Sequence, residues 1–240
     1  MNRVVIAETL RRHVTNGAYL AFVALLAIVA LGSSAFDKPA AAWPSLVTLL
    51  AFITGCGPIG PEFSSGTLQL ILVKPVNRAT YLLSRVAGVV LAVWAAAVVA
   101  ALLELAGRAI WGEGVPAAII GSTLLNVAAD TILTVSLLTL LGSLTRAYFN
   151  IAIYFVAMIG FSMLTFVLGL IRQSRNAVGR FLNEHIAIER GLSIVDKNLF
   201  PDLPPGLDGP WVLMVLANAA VALVLACLAF RRREVPYGAD

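Results

Sequence analysis

The sequence predicts an all-α integral membrane protein with six transmembrane helices, and three observations support this fold class. Hydrophobic residues make up 60% of the 240 residues and charged residues only 12%, whereas a soluble domain has about 25% charged residues. Apolar runs recur along the chain at about 20 residues each, which is the length that crosses a bilayer as a helix. Polar loops separate these runs. We therefore expect a single transmembrane domain over residues 1–240.

The polar segments between the apolar runs predict further helices at the membrane surface. Residues 1–17 mix apolar with basic residues, which is typical of an amphipathic interfacial helix. Residues 172–209 are the longest polar segment, and apolar residues recur at helical spacing over 178–194. We expect a second interfacial helix there, between the fifth and sixth spans. The six spans themselves are predicted at residues 18–35, 43–59, 86–110, 117–144, 149–171 and 211–230.

The distribution of Lys and Arg predicts the orientation, because cytoplasmic loops carry an excess of both. With a cytoplasmic N-terminus, the short outer loops hold only Lys38 and Arg108. Both chain termini are then cytoplasmic, and residues 172–209 form an extracytoplasmic segment. The cytoplasmic side holds ten basic residues: Arg3, Arg11, Arg12, Lys74, Arg78, Arg85, Arg146, Arg231, Arg232 and Arg233.

Several function classes lack support in the sequence. The formal net charge of +4 comes mostly from residues at the ends of apolar runs, and no basic patch alternates with aromatic residues, so no nucleic-acid partner is expected. Cys56 and Cys227 lie within apolar runs, where cysteine usually acts as a small buried hydrophobe. His185 stands near Glu184 and Glu189 without an H-E-x-x-H pattern, so no metal site is expected.

A polar stretch between the second and third spans carries the strongest local signals. Pro61 suits the first position of a helix, and Glu62 places a negative charge at the positive end of the helix dipole. Pro75 disfavours helical backbone in the residue before it, which ends this helix. Asn77 can then cap the helix that enters the third span. Residues 61–76 are therefore predicted to form a short helix at the membrane surface.

The residues of this stretch resemble a known family pattern. Glu62, Gly66-Thr67-Leu68, Pro75-Val76 and Arg78 resemble the E-x-x-x-G-T-L and P-V-x-R motifs of permeases of the type-2 exporter class of ATP-binding-cassette (ABC) transporters. The resemblance implies that residues 61–76 are a coupling helix, which fits a groove in an ATPase subunit. The implied ATPase-coupling residues are Glu62, Thr67, Leu68, Leu72, Pro75 and Arg78. On spacing alone, the same residues also fit an ordinary loop helix with its leucines in the lipid interface.

The same resemblance predicts what drives the protein and what it assembles with. The sequence contains no G-x-x-x-x-G-K-[ST] motif, so the chain has no P-loop to hold ATP. Transport would be powered by two partner ATPase subunits, which bind ATP and Mg²⁺, while this chain binds no cofactor and has no catalytic residue. A second permease copy or a similar permease, together with membrane lipids, would complete the assembly.

Polar residues at membrane depth are costly and need an explanation. Asn126, Asp130 and Thr134 are four residues apart in the fourth span, so they share one face of a helix. This face either lines a substrate path or packs against other helices or a second permease. Glu104 and Arg108, also four residues apart, are predicted to pair and neutralise each other near the end of the third span.

The sequence favours an ABC exporter subunit over two other functions. A gradient-driven secondary transporter or channel would use Asp130 as the ion-coupling group. A membrane-embedded enzyme has less support, because the sequence contains no G-x-S-x-G motif, no Ser/His arrangement and no paired intramembrane carboxylates. No residue identifies the substrate; an apolar path would suit an amphiphilic one.

Overall fold

A computed structural model describes residues 2–34, 40, 42–56, 77–111, 117–145, 149–173, 186–204 and 206–232. Within these ranges the chain forms eight α-helices and no β-strand. The all-α class predicted from the sequence is confirmed for this part of the chain. The helices are α1 (Arg3–Val14), α2 (Gly17–Ser33), α3 (Trp43–Gly55), α4 (Arg78–Ile110), α5 (Ala117–Leu144), α6 (Phe149–Gln173), α7 (Ile186–Leu199) and α8 (Gly209–Arg232).

Asparagine caps begin three of these helices. The side chains of Asn2, Asn16 and Asn77 each accept a hydrogen bond from the backbone N–H two residues further on. Asparagine is favoured at this position because its carbonyl oxygen satisfies an N–H that has no partner within the helix. The cap predicted at Asn77 is confirmed, and it places the start of α4 eight residues before the predicted span.

Four helices, α4, α5, α6 and α8, are long and apolar enough to cross a membrane. Helices α1 and α2 qualify as a fifth span if they are taken together, with a bend of 68° between them. Helix α3 has 13 residues, which rise about 20 Å, and it ends at Gly55, before the predicted end of the second span. The described residues therefore support four to five spans, and six spans stay a prediction.

The helices divide into two compact units, residues 1–150 with 203–240 and residues 151–202. In the first unit, α4 packs against α1, α2, α3, α5 and α8, and α5 packs against α3 and α8. Helix α4 is therefore the centre of this bundle. Its buried face is rich in small residues such as Ala92, Ala96 and Ala100, which allow helices to approach closely in a membrane.

The second unit contains most of α6, all of α7 and the residues that follow α7. Phe200 lies edge to face against Tyr154 of α6, with ring centroids 5.2 Å apart, and Phe161 lies 6.5 Å from the same Phe200 ring. The helix expected over 178–194 is found in part, since α7 spans Ile186–Leu199; its position at the membrane surface stays a prediction. Residues 178–185 lie outside the described residues.

Candidate functional site

The predicted coupling helix itself lies outside the described residues. This holds for residues 61–76, and so for Glu62, Thr67, Leu68, Leu72 and Pro75. Arg78 is described and is the first residue of α4, where its side chain is half-buried. The structure therefore shows how the chain is held on either side of this stretch, at the end of α3 and at the start of α4.

The end of α3 is attached to α5 and to the start of α6. Asn150, a buried residue in the first turn of α6, donates from Nδ2 to the carbonyl oxygens of Cys56 at 3.2 Å and Leu138 at 3.4 Å. Gly55 also contacts α5, since a Cβ added there would lie 3.0 Å from Leu138 Cδ1. A buried amide that bonds two carbonyl oxygens fixes both backbones. The chain therefore leaves α3 from an anchored position.

The start of α4 is attached to α1. The backbone N–H of Asn2 donates to Ser84 Oγ at 2.8 Å, and Arg85 Nη1 donates to Thr9 Oγ1 at 3.1 Å. Gly88 lies so close to α1 that an added Cβ would be 2.6 Å from Thr9 Cβ, nearer than such atoms approach each other. Glycine at residue 88 is therefore required for this contact.

Arg85 is the buried cation of the junction between α1 and α4. It is 8% exposed, its Nε donates to Tyr81 Oη at 3.1 Å, and its guanidinium carbon lies 5.6 Å from the centre of the Tyr81 ring. Hydrogen bonds and the aromatic ring offset the cost of removing the cation from water. Nothing in the sequence indicated that Arg85 contacts Thr9, because Thr9 is remote in the chain.

His13 lies near this junction, in α1 and outside the predicted spans. Burial, and then the positive charges of Arg85 and Arg12, lower the pKa of His13 from its ordinary value of 6.5. A histidine with a lowered pKa is mostly neutral at pH 7. Burial and the two neighbouring cations therefore both disfavour the protonated form of His13.

The other end of α4 holds the buried pair that the sequence predicted. Arg108 Nε lies 3.1 Å from Glu104 Oε1, and both side chains are almost fully buried. Trp43 Nε1 donates to Glu104 Oε2 at 2.6 Å, and the Ala40 N–H donates to Oε1 at 2.9 Å. Arg108 Nη2 donates to the carbonyl oxygen of Ser33 at 3.3 Å. The pair thus attaches α2 and the start of α3 to α4.

The polar face of α5 makes contacts inside the first unit. Thr48 Oγ1 of α3 donates to Asp130 Oδ2 at 2.8 Å. Asn126 Nδ2 donates to the carbonyl oxygens of Pro204 at 3.3 Å and Gly206 at 2.8 Å. Thr134 is 3% exposed. These residues therefore lie where α5 packs against its neighbours, and Asn126 Oδ1 is buried without a hydrogen-bond partner among the described residues.

The described helices, four or five of which are long and apolar enough to span a bilayer, are those of a multi-pass membrane protein. The chain belongs to the ABC-2 transporter family, since the family model described as "ABC-2 family transporter protein" matches residues 5–235. None of the curated proteins matches the sequence. The protein is therefore an ABC transporter permease, a membrane component of transport whose family normally has no catalytic site of its own.

Proposed function

We propose that this chain is the membrane-spanning permease subunit of an ATP-driven ABC exporter. Two ATPase subunits bind ATP and Mg²⁺, and a second permease copy or a similar permease completes the transport path. The complex moves an amphiphilic substrate across the cytoplasmic membrane by alternating access. One observation carries this proposal: the predicted coupling segment of an ABC-2 family chain is anchored on both sides, at Cys56 and at α4.

Anchoring on both sides supports a coupling role, because displacing a loosely held loop would move only the loop and not the helices on either side of it. On one side, Asn150 holds the carbonyl oxygen of Cys56, so a displacement of residues 61–76 would act on α3 together with α5. On the other side, Arg85 and Gly88 hold α4 against Thr9 of α1. The same displacement would therefore move α4 and α1 as one body.

Helix α4 is suited to carry this movement across the membrane. It runs without a break over 33 residues, which corresponds to about 50 Å and exceeds the roughly 30 Å of the hydrocarbon core. At its far end, Glu104 bonds to Trp43 and Arg108 bonds to Ser33. A tilt of α4 would therefore displace α2 and α3 at the opposite side of the membrane.

We further propose a six-span topology with both termini in the cytoplasm. The 68° bend between α1 and α2 supports a topology in which α1 lies along the membrane surface and α2 crosses the membrane. The second span would consist of α3 with the residues that follow it up to 59. Residues 172–209, which include α7, would then be extracytoplasmic.

Purification of the full chain with its ATPase tests the coupling role. We expect an ATPase subunit to copurify with the wild-type chain and to be lost, or to lose stimulation by substrate, in the Glu62→Arg/Leu68→Asp variant. The matched control is Asp196→Arg/Ile194→Asp, which makes the same two kinds of change in α7. A wild-type chain that binds no ATPase, or a control that fails in the same way, would refute the proposal.

Asp130 separates this proposal from a gradient-driven transporter. Its bond to Thr48 supports a role in packing α3 against α5, which an amide oxygen can also fill. We therefore expect Asp130→Asn to retain ATP-dependent transport in proteoliposomes, with Thr48→Val as the control for loss of the hydrogen bond. Transport that needs an ion gradient, ignores ATP and disappears in Asp130→Asn would favour the gradient-driven transporter.

A further inference from the structure

Two apolar clefts flank the last turns of α8. The larger, of about 680 Å³, lies between α5 and α8. The smaller, of about 240 Å³, lies between the start of α4 and α8. Each cleft has mainly apolar walls and one arginine of α8 in its lining. The larger is lined by Leu140, Ser143, Leu144, Leu225, Leu228, Ala229 and Arg232, and the smaller by Ala79, Leu83, Leu223, Val224, Cys227, Leu228 and Arg231.

The order of residues along α8 gives the larger cleft a polarity. Leu225, Ala229 and Arg232 are separated by four and three residues, so they share one face of the helix. The rise from the first to the last is about 10 Å. The apolar wall is therefore followed by a guanidinium at the very end of the helix, which is also the end of the apolar run.

The walls offer little to a polar occupant. Ser143, the one hydroxyl residue of the larger cleft, already donates to the carbonyl oxygen of Leu140 at 2.7 Å. Leu144, Leu225 and Leu228 are 63%, 48% and 47% exposed, so hydrocarbon can reach them. Among the described residues, no carboxylate pairs with the exposed Arg231 or Arg232. The cleft thus combines hydrocarbon walls with an available cation.

We propose that the larger cleft is a binding site for an anionic phospholipid of the membrane. One acyl chain lies against Leu140, Leu225 and Leu228, and the headgroup phosphate accepts hydrogen bonds from Arg232. The planar guanidinium matches a phosphate oxygen pair, and basic residues at the end of a span attract anionic lipids. The smaller cleft, with Arg231, repeats the same combination. This site requires only that the chain is in a membrane, so it does not depend on the transport function.

Lipid retention by the purified full chain tests the site. Native mass spectrometry would compare phosphatidylglycerol with phosphatidylcholine, after equal exposure in mixed micelles. We expect the wild-type chain to prefer phosphatidylglycerol by about fivefold, and Arg232→Gln to remove most of this preference. Ala229→Phe, which fills the cleft, should lower retention of both lipids. Excess inorganic phosphate should displace neither, because it lacks the acyl chain.

Matched controls separate the cleft from general surface effects. Arg11→Gln removes an exposed arginine of α1 that lines neither cleft, and Ala217→Phe enlarges an exposed residue of α8 that also lines neither. Both should retain lipid as the wild type does, with circular dichroism confirming the fold. Equal losses in Arg11→Gln and Arg232→Gln, displacement by phosphate alone, or a change only in oligomeric mass with Ala229→Phe would overturn the proposal.

Discussion

The two ends of α4 are held by different chemistry, although each has an arginine bonded to the residue four positions earlier. At the N-terminal end, Arg85 bonds to the phenol of Tyr81 and the hydroxyl of Thr9. At the C-terminal end, Arg108 pairs with the carboxylate of Glu104, which also accepts from Trp43. Breaking the attachment at the C-terminal end is expected to cost more stability, because losing one member of a buried ion pair leaves the other charge buried and unpaired.

The largest effect is expected from Glu104→Ala. Its loss leaves Arg108 buried without its carboxylate and Trp43 Nε1 without its acceptor, which should destabilise the protein by about 4 kcal/mol. Thermal unfolding in detergent, followed by circular dichroism, measures this loss, and Glu104→Gln should cost less because its amide oxygen can still accept from Trp43. Tyr81→Phe removes one bond to Arg85 and should cost about 2 kcal/mol. Equal losses of stability in Glu104→Ala and Tyr81→Phe would show that the charge of Glu104 does not make the C-terminal attachment stronger.

A smaller effect is expected where glycine allows each end of α4 to contact its neighbour. In Gly88→Ala, the new Cβ would meet Thr9 Cβ at 2.6 Å and the backbone oxygen of Ile6 at 3.1 Å, so α1 must move; we expect a loss of about 2 kcal/mol. In Gly107→Ala, the three atoms nearest the new Cβ belong to side chains, the closest being Ser34 Oγ at 2.6 Å. Because Ser34 lies at the end of α2, where the chain can adjust, we expect a smaller loss.

Amide hydrogen exchange measures how each glycine substitution affects the helix that the glycine contacts. Faster exchange should be confined to α1 in Gly88→Ala and to the end of α2 in Gly107→Ala. Gly121→Ala is the control, because nothing lies within 4 Å of its added Cβ and alanine favours a helix more than glycine does. If Gly88→Ala left the exchange of α1 unchanged, the close contact between α1 and α4 would be wrong.

The smallest effect is expected from pH, at the N-terminal end of α4, where His13 lies near Arg85. The pKa of His13 is lowered in the folded protein from 6.5, so below about pH 6.5 the unfolded chain binds a proton that the folded chain resists. Stability is therefore full above this pH and falls as the pH drops towards the folded pKa. The unfolding temperature measured from pH 8 to pH 5 should fall less in His13→Gln than in the wild type; identical curves would contradict this.

Local interactions explain what could be predicted from the sequence. The cap at Asn77 and the pair of Glu104 with Arg108 were predicted, because they depend on residues two to four positions apart. The caps at Asn2 and Asn16 have the same short spacing but were found only in the structure. The long apolar helices follow from composition in the same way. The start of α4 at Arg78 follows from the predicted cap at Asn77, and Tyr81 and Leu82 near this start are buried against other parts of the first unit.

Remote contacts explain what could not be predicted. The sequence left the polar face of α5 open between a substrate path and a helix interface, and the partners of Asp130 and Asn126 lie 82 and about 80 residues away. The anchor of Cys56 by Asn150, 94 residues away, gave no sequence signal at all. Asparagine near the start of a helix usually suggests a cap, whereas Asn150 bonds to carbonyl oxygens of residues 94 and 12 positions away.

The sequence by itself determined the all-α membrane class, the cap at Asn77 and the pair of Glu104 with Arg108, because composition and short spacings act within one helix. Its motif residues also carried the resemblance to ABC permeases. Only the tertiary structure decided that Thr9 meets Arg85 and Gly88, and that Trp43 meets Glu104. The physical reason is that a buried polar group in a membrane must find its partner on whichever helix packs beside it. That choice depends on how all the helices pack together.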